Sequence, residues 1–262
     1  MSEKKYVVLT VILIALTAIV GLSYLFLKTS PFSSETPQSS EQVAQEEVTA
    51  CNDITVYDYD TVGDAYNAPE TVCIIDMSKR DQTAVSNDLF LFPNLETLRL
   101  EYNNLTDLPT DFAKFTKLKE LYLNNNKLNR IPPVIFSLTN LEKLDLSSNQ
   151  ITEIPAEIQN LRKLMILKLV TNQINSLPME MGNLTGLETL DLSFNNLSEL
   201  PESFSNLDNL DTIFLEQNNF TSIPQAISGM EKLTGVTLNG NSIDAGSVDA
   251  LRQTLPQVGI QF

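Results

Sequence analysis

The chain has 262 residues, 42% of them apolar and 19% charged, with a formal net charge of −16, no His and no Trp. That length supports one or two domains with a sizeable core. Zero His excludes His-dependent triads and HExxH metal sites, two Cys cannot make a Cys₄ zinc site, and a pI near 4.3 argues against nucleic acid, whose phosphates need clustered Lys and Arg.

The charge is unevenly spread: residues 1–28 carry +2, residues 29–94 carry −10 and residues 95–262 carry −8. From Tyr6 to Leu27 the chain runs 22 residues without a charge. As a helix this run is about 33 Å long, enough to cross a hydrocarbon core of about 30 Å. Lys4 and Lys5 precede it and only Lys28 follows, which keeps the N-terminus in the cytoplasm and exports the rest. The rival is a cleaved signal peptide and a secreted product. It fits less well, because the run is long and ends in the bulky Tyr24-Leu25-Phe26-Leu27 rather than in small residues. Residues 29–50 are rich in Ser, Thr, Pro, Glu and Gln and too poor in apolar residues to offset the entropy of ordering. They read as a flexible tether with a reach of roughly 26 Å.

From Leu95 the chain repeats every 23 residues, with units starting at Leu95, Leu118, Leu141, Leu164, Leu187, Leu210 and Leu233. Each unit reads L-x-x-L-x-L-x-x-N-x-Φ, with Φ apolar, and all but the last continue x-x-Φ-P-x-x-Φ-x-x-Φ-x-x. Positions 1, 4 and 6 of the seven units are Leu throughout except Ile213 and Val236. Chance filling of every such site by an apolar residue has a probability on the order of 10⁻⁸. A weaker unit fits in register at Val72, Ile75 and Met77, continuing to Val85, Leu89 and Phe92, with Arg80 where the Asn should stand.

This pattern resembles the leucine-rich repeat family, in its 23-residue Leu-Pro class, over residues 72–262. The resemblance implies an α/β right-handed solenoid with a parallel sheet on its concave side and short helical or 3-10 turns on its convex side. The residues account for the same architecture. In x-Φ-x-Φ the side chains alternate, so Leu98 and Leu100 point inward while Thr97, Arg99 and Glu101 point out. Phe112, Ile135, Ile158, Met181, Phe204 and Ile227 face inward on the return run. Pro109, Pro132, Pro155, Pro178, Pro201 and Pro224 fix φ where the chain turns. Asn103, Asn126, Asn149, Asn172, Asn195, Asn218 and Asn241 form a structural ladder, because an amide side chain can satisfy the backbone groups left unpaired where each strand ends.

The expected organisation is a signal anchor or transmembrane helix over 1–28, a linker over 29–50, an N-terminal cap with a divergent first repeat over 51–94, repeats over 95–245 and a C-terminal cap over 246–262. In the last of these, Gly246 to Leu255 reads as a helix with Ser247 as N-cap, stopped by Pro256 and followed by a final strand within Val258–Phe262. Cys51 and Cys73 flank 21 residues before the first weak repeat. In an exported protein the default is a disulfide, stabilising by about 3 kcal/mol through loop entropy, and extracellular members of the family are often capped this way. Two free thiols are the alternative.

No nucleophile elbow, phosphate loop or dinucleotide fingerprint occurs, so the chain reads as a non-enzyme without cofactor or metal. The run Asp58–Asp64 fails the calcium-loop spacing, with Val62 at position 5 and Pro69 at position 12, and reads as an acidic cap. Four N-x-[ST] sequons occur, at Asn104, Asn183, Asn196 and Asn219; three of them fall just after a ladder Asn and are generated by the repeat, and all are read as incidental.

The outward sheet positions are where the repeat leaves the sequence free. The candidate partner-binding face comprises Arg99, Tyr102, Tyr122, Asp145, Ile166, Lys168, Val170, Asp191, Phe194, Phe214 and Glu216. Exposed aromatic residues beside Arg and Lys suit a binding face, whereas a tolerated apolar scatter is the bland reading. The expected function is a membrane-tethered, extracytoplasmic module binding a protein through this face. A cell-surface adhesin or glycan binder using Tyr122, Phe194 and Phe214 for stacking is the runner-up. The short anchor and single compact array look bacterial.

Overall fold

Alternation of inward Leu with outward polar residues limits the strand in each unit to three residues, and the units stack strand on strand. The computed structural model of the chain describes residues 56–58, 65–230 and 232–262. The strands are β1 (Val56–Asp58), β2 (Ile74–Asp76), β3 (Thr97–Arg99), β4 (Glu120–Tyr122), β5 (Lys143–Asp145), β6 (Ile166–Lys168), β7 (Thr189–Asp191), β8 (Thr212–Phe214), β9 (Gly235–Thr237) and β10 (Gly259–Gln261). They form one parallel sheet in chain order. From β2 to β9 each pairing advances by one repeat, so Ile75, Leu98 and Leu121 are direct partners. Strand β1 precedes the first repeat read from the sequence, and Asp58, read there as part of an acidic cap, is its last residue.

The return runs are 3-10 turns rather than α-helices. Seven of them have five residues, from Asn87–Leu91 to Gln225–Gly229, and the last six each follow a Pro with φ between −77° and −55°. Five residues are too few for a stable α-helix, and the tighter i→i+3 bond closes the turn at once. Phe112 N–H donating to Pro109 O at 3.1 Å is the pattern. Two neighbouring turns come close enough to demand a glycine: a Cβ on Gly182 would lie 2.3 Å from the carbonyl oxygen of Ser203.

Between sheet and turns lies a continuous core. Leu98, Leu100, Phe112 and their counterparts in the other repeats are essentially fully buried. At its N-terminal end the core is aromatic, with Phe90, Phe112 and Phe115 in mutual ring contact at 5.3–5.9 Å.

The Asn ladder stitches each unit to the one before. Asn149 Oδ1 accepts from Leu128 N–H at 3.0 Å, and its Nδ2 donates to Leu123 O and Leu146 O, each at 3.0 Å. The same three bonds recur at Asn126, Asn172, Asn195, Asn218 and Asn241. At Asn103 the acceptor oxygen takes both Arg80 and Gln82 N–H, which closes the divergent unit lacking its own Asn.

One residue before each ladder position the backbone turns left-handed. Lys79, Tyr102, Asn125, Ser148, Thr171, Phe194 and Gln217 all have φ between 52° and 58°, and Gly240 has 70°. Their amides still donate to the next unit, as Thr171 N–H does to Ser193 O at 3.0 Å, so the ladder imposes this conformation whatever the side chain.

At the C-terminal end the helix α1 spans Ala245–Thr254, and its N-cap is Asp244 rather than the expected Ser247. Ser247 lies in the first turn, where its N–H donates to Asp244 Oδ1 at 2.9 Å and its hydroxyl also donates to that carboxylate. The helix stops before Pro256, and β10 pairs with β9 as the sequence predicts. Cys73 is buried beside β2 and no described cysteine is free. Its expected partner Cys51, the apolar run 6–27 and the linker 29–50 lie outside the described residues. Among the described residues no helix is long and apolar enough to cross a membrane.

Two substitutions separate the ladder from the strain beside it. Asn149→Ala orphans three buried backbone groups and should cost on the order of 3–5 kcal/mol. Thr171→Asn relieves a β-branched residue of a left-handed φ and should stabilise by about 1 kcal/mol. Urea unfolding of both variants should show the two midpoints moving in opposite directions.

Candidate functional site

Short strands in strict register carry every candidate residue to one surface, the outer face of the sheet. Arg99, Tyr122, Asp145, Lys168, Asp191 and Phe214 are consecutive partners from β3 to β8. At about 4.8 Å per strand this row is roughly 24 Å long. Ile166 stands in the neighbouring row between Lys143 and Thr189. Val170 and Glu216 follow two residues after their strands. Tyr102 and Phe194 occupy the left-handed position and are 51% and 49% exposed. The same φ recurs at this position in every unit from Lys79 to Gly240, so it belongs to the repeat and only the exposed rings are particular to these two units.

The aromatic residues of the two halves live in different surroundings. Tyr122 is flanked from both adjacent strands, with Arg99 Cζ at 5.4 Å and Lys143 Nζ at 4.9 Å from its ring centroid. Its hydroxyl donates to Glu120 Oε2 at 2.7 Å. Burial pushes the Tyr122 hydroxyl up from its ordinary value, and its hydrogen bond to Lys143 holds that ammonium up as well. Tyr102 has Lys79 Nζ at 5.5 Å. Tyr122, expected to be an open anchor, is therefore engaged by its own chain. Among the described residues no cation lies over Phe194 or Phe214.

Three of the outward acids also shape the backbone. Asp76, Asp145 and Asp191 each accept the N–H of the Ser two residues on, at 2.9–3.1 Å, bending the chain as the strand ends. The sequence signal is Asp-x-Ser, and at Asp191 the same oxygen also accepts from the Ser193 hydroxyl at 2.7 Å. Lys168 stands between Asp145 and Asp191 in register and makes an ion pair with neither.

Glu101, outward on the same face, has a sharper environment than the sequence suggested. Its Oε2 is buried without a hydrogen-bond partner. Burial raises the Glu101 carboxyl above its usual range, a backbone hydrogen bond opposes this, and Asp76 and Asp145 add to the rise against the pull of Arg99. Among the described residues no group of three or more acids or thiols could hold a metal. A shallow depression on the opposite side, lined by Arg130, Phe136, Glu153 and Glu157 among others, gathers no comparable chemistry.

Leucine-rich repeat family models match residues 93–136 (leucine rich repeats, two copies), 116–174 (leucine rich repeat) and 158–254 (leucine-rich repeat region). The chain belongs to the leucine-rich repeat family. Among solved structures it is similar to a leucine-rich repeat protein of Leptospira interrogans, with 27% identity and a TM-score of 0.53 over 74% of this chain and 61% of that one. It is also similar to the leucine-rich repeat ectodomain of the plant membrane receptor kinase GASSHO1/SCHENGEN3 of Arabidopsis thaliana, solved in complex with CASPARIAN STRIP INTEGRITY FACTOR 2. Here the identity is 32% and the TM-score 0.61, over 73% of this chain. This leucine-rich repeat chain spans 24% of that receptor ectodomain's length. No curated protein matches it.

The raised carboxyl of Glu101 has a thermodynamic consequence with a definite sign. An acid whose pKa is higher folded than unfolded binds more protons in the native state, so its contribution to stability falls as pH rises through that window. Glu101→Gln should therefore raise the urea midpoint at pH 7, and the gain should vanish as pH falls below the ordinary glutamate range. An equal gain at both pH values would mean that charge is not the cause.

Proposed function

We propose that this leucine-rich repeat protein is a membrane-tethered, extracytoplasmic module that binds a protein partner through the outer face of its sheet. The observation that carries the binding reading is the pair Tyr102 and Phe194, large rings half exposed on the outer face of a sheet whose repeats are held in register by the ladder beneath. A preorganised face opposes association with little ordering entropy, and large aromatic side chains supply most of the energy at such faces. The plant receptor ectodomain, solved with a bound factor, is a relative in which the same repeat architecture serves recognition.

The tether rests on the uncharged run from Tyr6 to Leu27, and the export on Lys4 and Lys5 before it against Lys28 behind. A Cys51–Cys73 bridge would then close the N-terminal cap, since export places both thiols in an oxidising compartment.

Each part of this reading has its own measurement. A photo-crosslinking amino acid at Lys168 of the full chain, expressed in the source cells, should yield a protein adduct, whereas the same group at Glu157 on the turn side should not. Adducts from Glu157 alone would mean that the wrong surface was chosen. Protease added to intact cells or spheroplasts should digest the repeats, and full protection would overturn the topology. Reductant should lower the melting temperature, as the loss of a bridge contributing about 2–5 kcal/mol requires. An unchanged melt would remove the bridge.

A further inference from the structure

We propose that the sheet face between β7 and β9 receives a cationic side chain from the partner, an arginine or lysine beside an apolar residue of a polypeptide segment, held over Phe214 and between Asp191 and Glu216. This rests on the reading that the sheet face binds a protein, and it names what that protein must present.

The repeat supplies its own template. Tyr122 and Phe214 occupy the same position in units four repeats apart. On one side of Tyr122 the partner residue of the preceding strand is Arg99, and on the other side β5 offers Lys143, both over the ring. At Phe214 the residue in the place of Arg99 is Asp191, and the residue in the place of Lys143 is Gly235. An aromatic ring that carries two cations in one unit thus carries none in the other. The place of one is taken by a carboxylate, and the place of the other by a residue without a side chain. A Cβ on Gly235 would lie 3.3 Å from Thr212 Cγ2, so a side chain fits there only if that methyl gives a little, and Gly235 itself reaches nothing.

Among the described residues the cation in register beside Asp191 is Lys168, which makes no ion pair with it. Residues 169–262 hold two bases against eleven acids. Lys232 donates to Asn209 Oδ1 at 2.7 Å, and Arg252 pairs with Asp249 at 2.9 Å. Phe194 completes the patch. It is exposed, and its N–H donates to the Glu216 backbone carbonyl at 2.9 Å, so the two residues stand side by side on adjacent units. An exposed Phe194 ring and a half-buried Phe214 ring on an acidic face favour a cation with an apolar neighbour over a neutral ligand, because ring and charge act on the same group.

A phage-displayed random peptide library panned on the full chain in detergent tests this. Selected peptides should carry Arg or Lys next to an apolar residue, and their binding should weaken as salt is raised. Phe214→Ala and the pair Asp191→Asn with Glu216→Gln should each weaken binding about tenfold or more, with melting curves showing that each variant folds. Gly235→Lys restores the internal cation of the β5 position and should abolish binding, while Glu157→Ala should leave it unchanged. Peptides that lack a cation, or that bind Phe214→Ala as well as the parent, overturn the proposal. If binding instead depends on Arg99 and Tyr122, the protein-binding reading of the face stands and this assignment fails. If no peptide binds, or if a glycan array alone is retained and Phe214→Ala releases it, the polypeptide partner is wrong.

Discussion

The structure depends on one interaction, the amide side chain that bonds three backbone groups where each strand ends. A strand of three residues cannot hold a sheet by itself, because most of its backbone groups lie beyond the ladder, in a loop that must enter the core. Left unpaired there, each would cost about 1–3 kcal/mol. Asn149 removes that cost for Leu123, Leu128 and Leu146 together, and because two of those belong to the preceding unit, it also fixes the spacing between units. Aspartate lacks the donor and glutamine has a different reach, so only Asn does both at this distance. Register, strand direction and the placement of every outward side chain follow from it.

That dependence explains which features were legible in the sequence. Whatever the backbone forces recurs from unit to unit and can be read directly: the inward Leu and ladder Asn of seven units and the Pro that opens six of the turns, with the weak unit at Arg80 found by register. The C-terminal strand was legible for the same reason, since Pro256 ends the helix before it. The cap residue of that helix was not, because Asp244 and Ser247 are both good capping residues three positions apart, and the carboxylate satisfies the first-turn amide more strongly than the hydroxyl. The left-handed position was hidden by its variety. Only Gly240 and Asn125 in that column favour such a φ, while Thr171, Tyr102 and Phe194 disfavour it.

The candidate face was legible as a surface but not as a site. Alternation alone says that Arg99, Tyr122 and Phe214 point outward. It does not say which of them are already engaged, since that depends on residues 23 positions away in sequence and one strand away in space. Counting 23 back and 21 on would have placed Arg99 and Lys143 on either side of Tyr122, and Asp191 and Gly235 on either side of Phe214. In a repeat protein, the neighbours of a surface residue are as readable as the residue itself.

The division of the face has a physical origin in how such arrays tolerate change. Each unit contacts only its neighbours, so the outward positions of one half can diverge without disturbing the other. In residues 95–168 bases and acids nearly balance, and an aromatic ring placed there finds cations within its own sheet. In residues 169–262 the bases are gone from the face while the rings remain. Self-contained contacts stiffen the first half and leave little to offer a partner. The second half keeps the exposed ring of Phe194 and an excess of acids over bases. Neither adds to the stability of the fold, since an exposed ring gains no burial and like charges repel. On the proposed reading their energetic return comes from a second molecule that brings a cation.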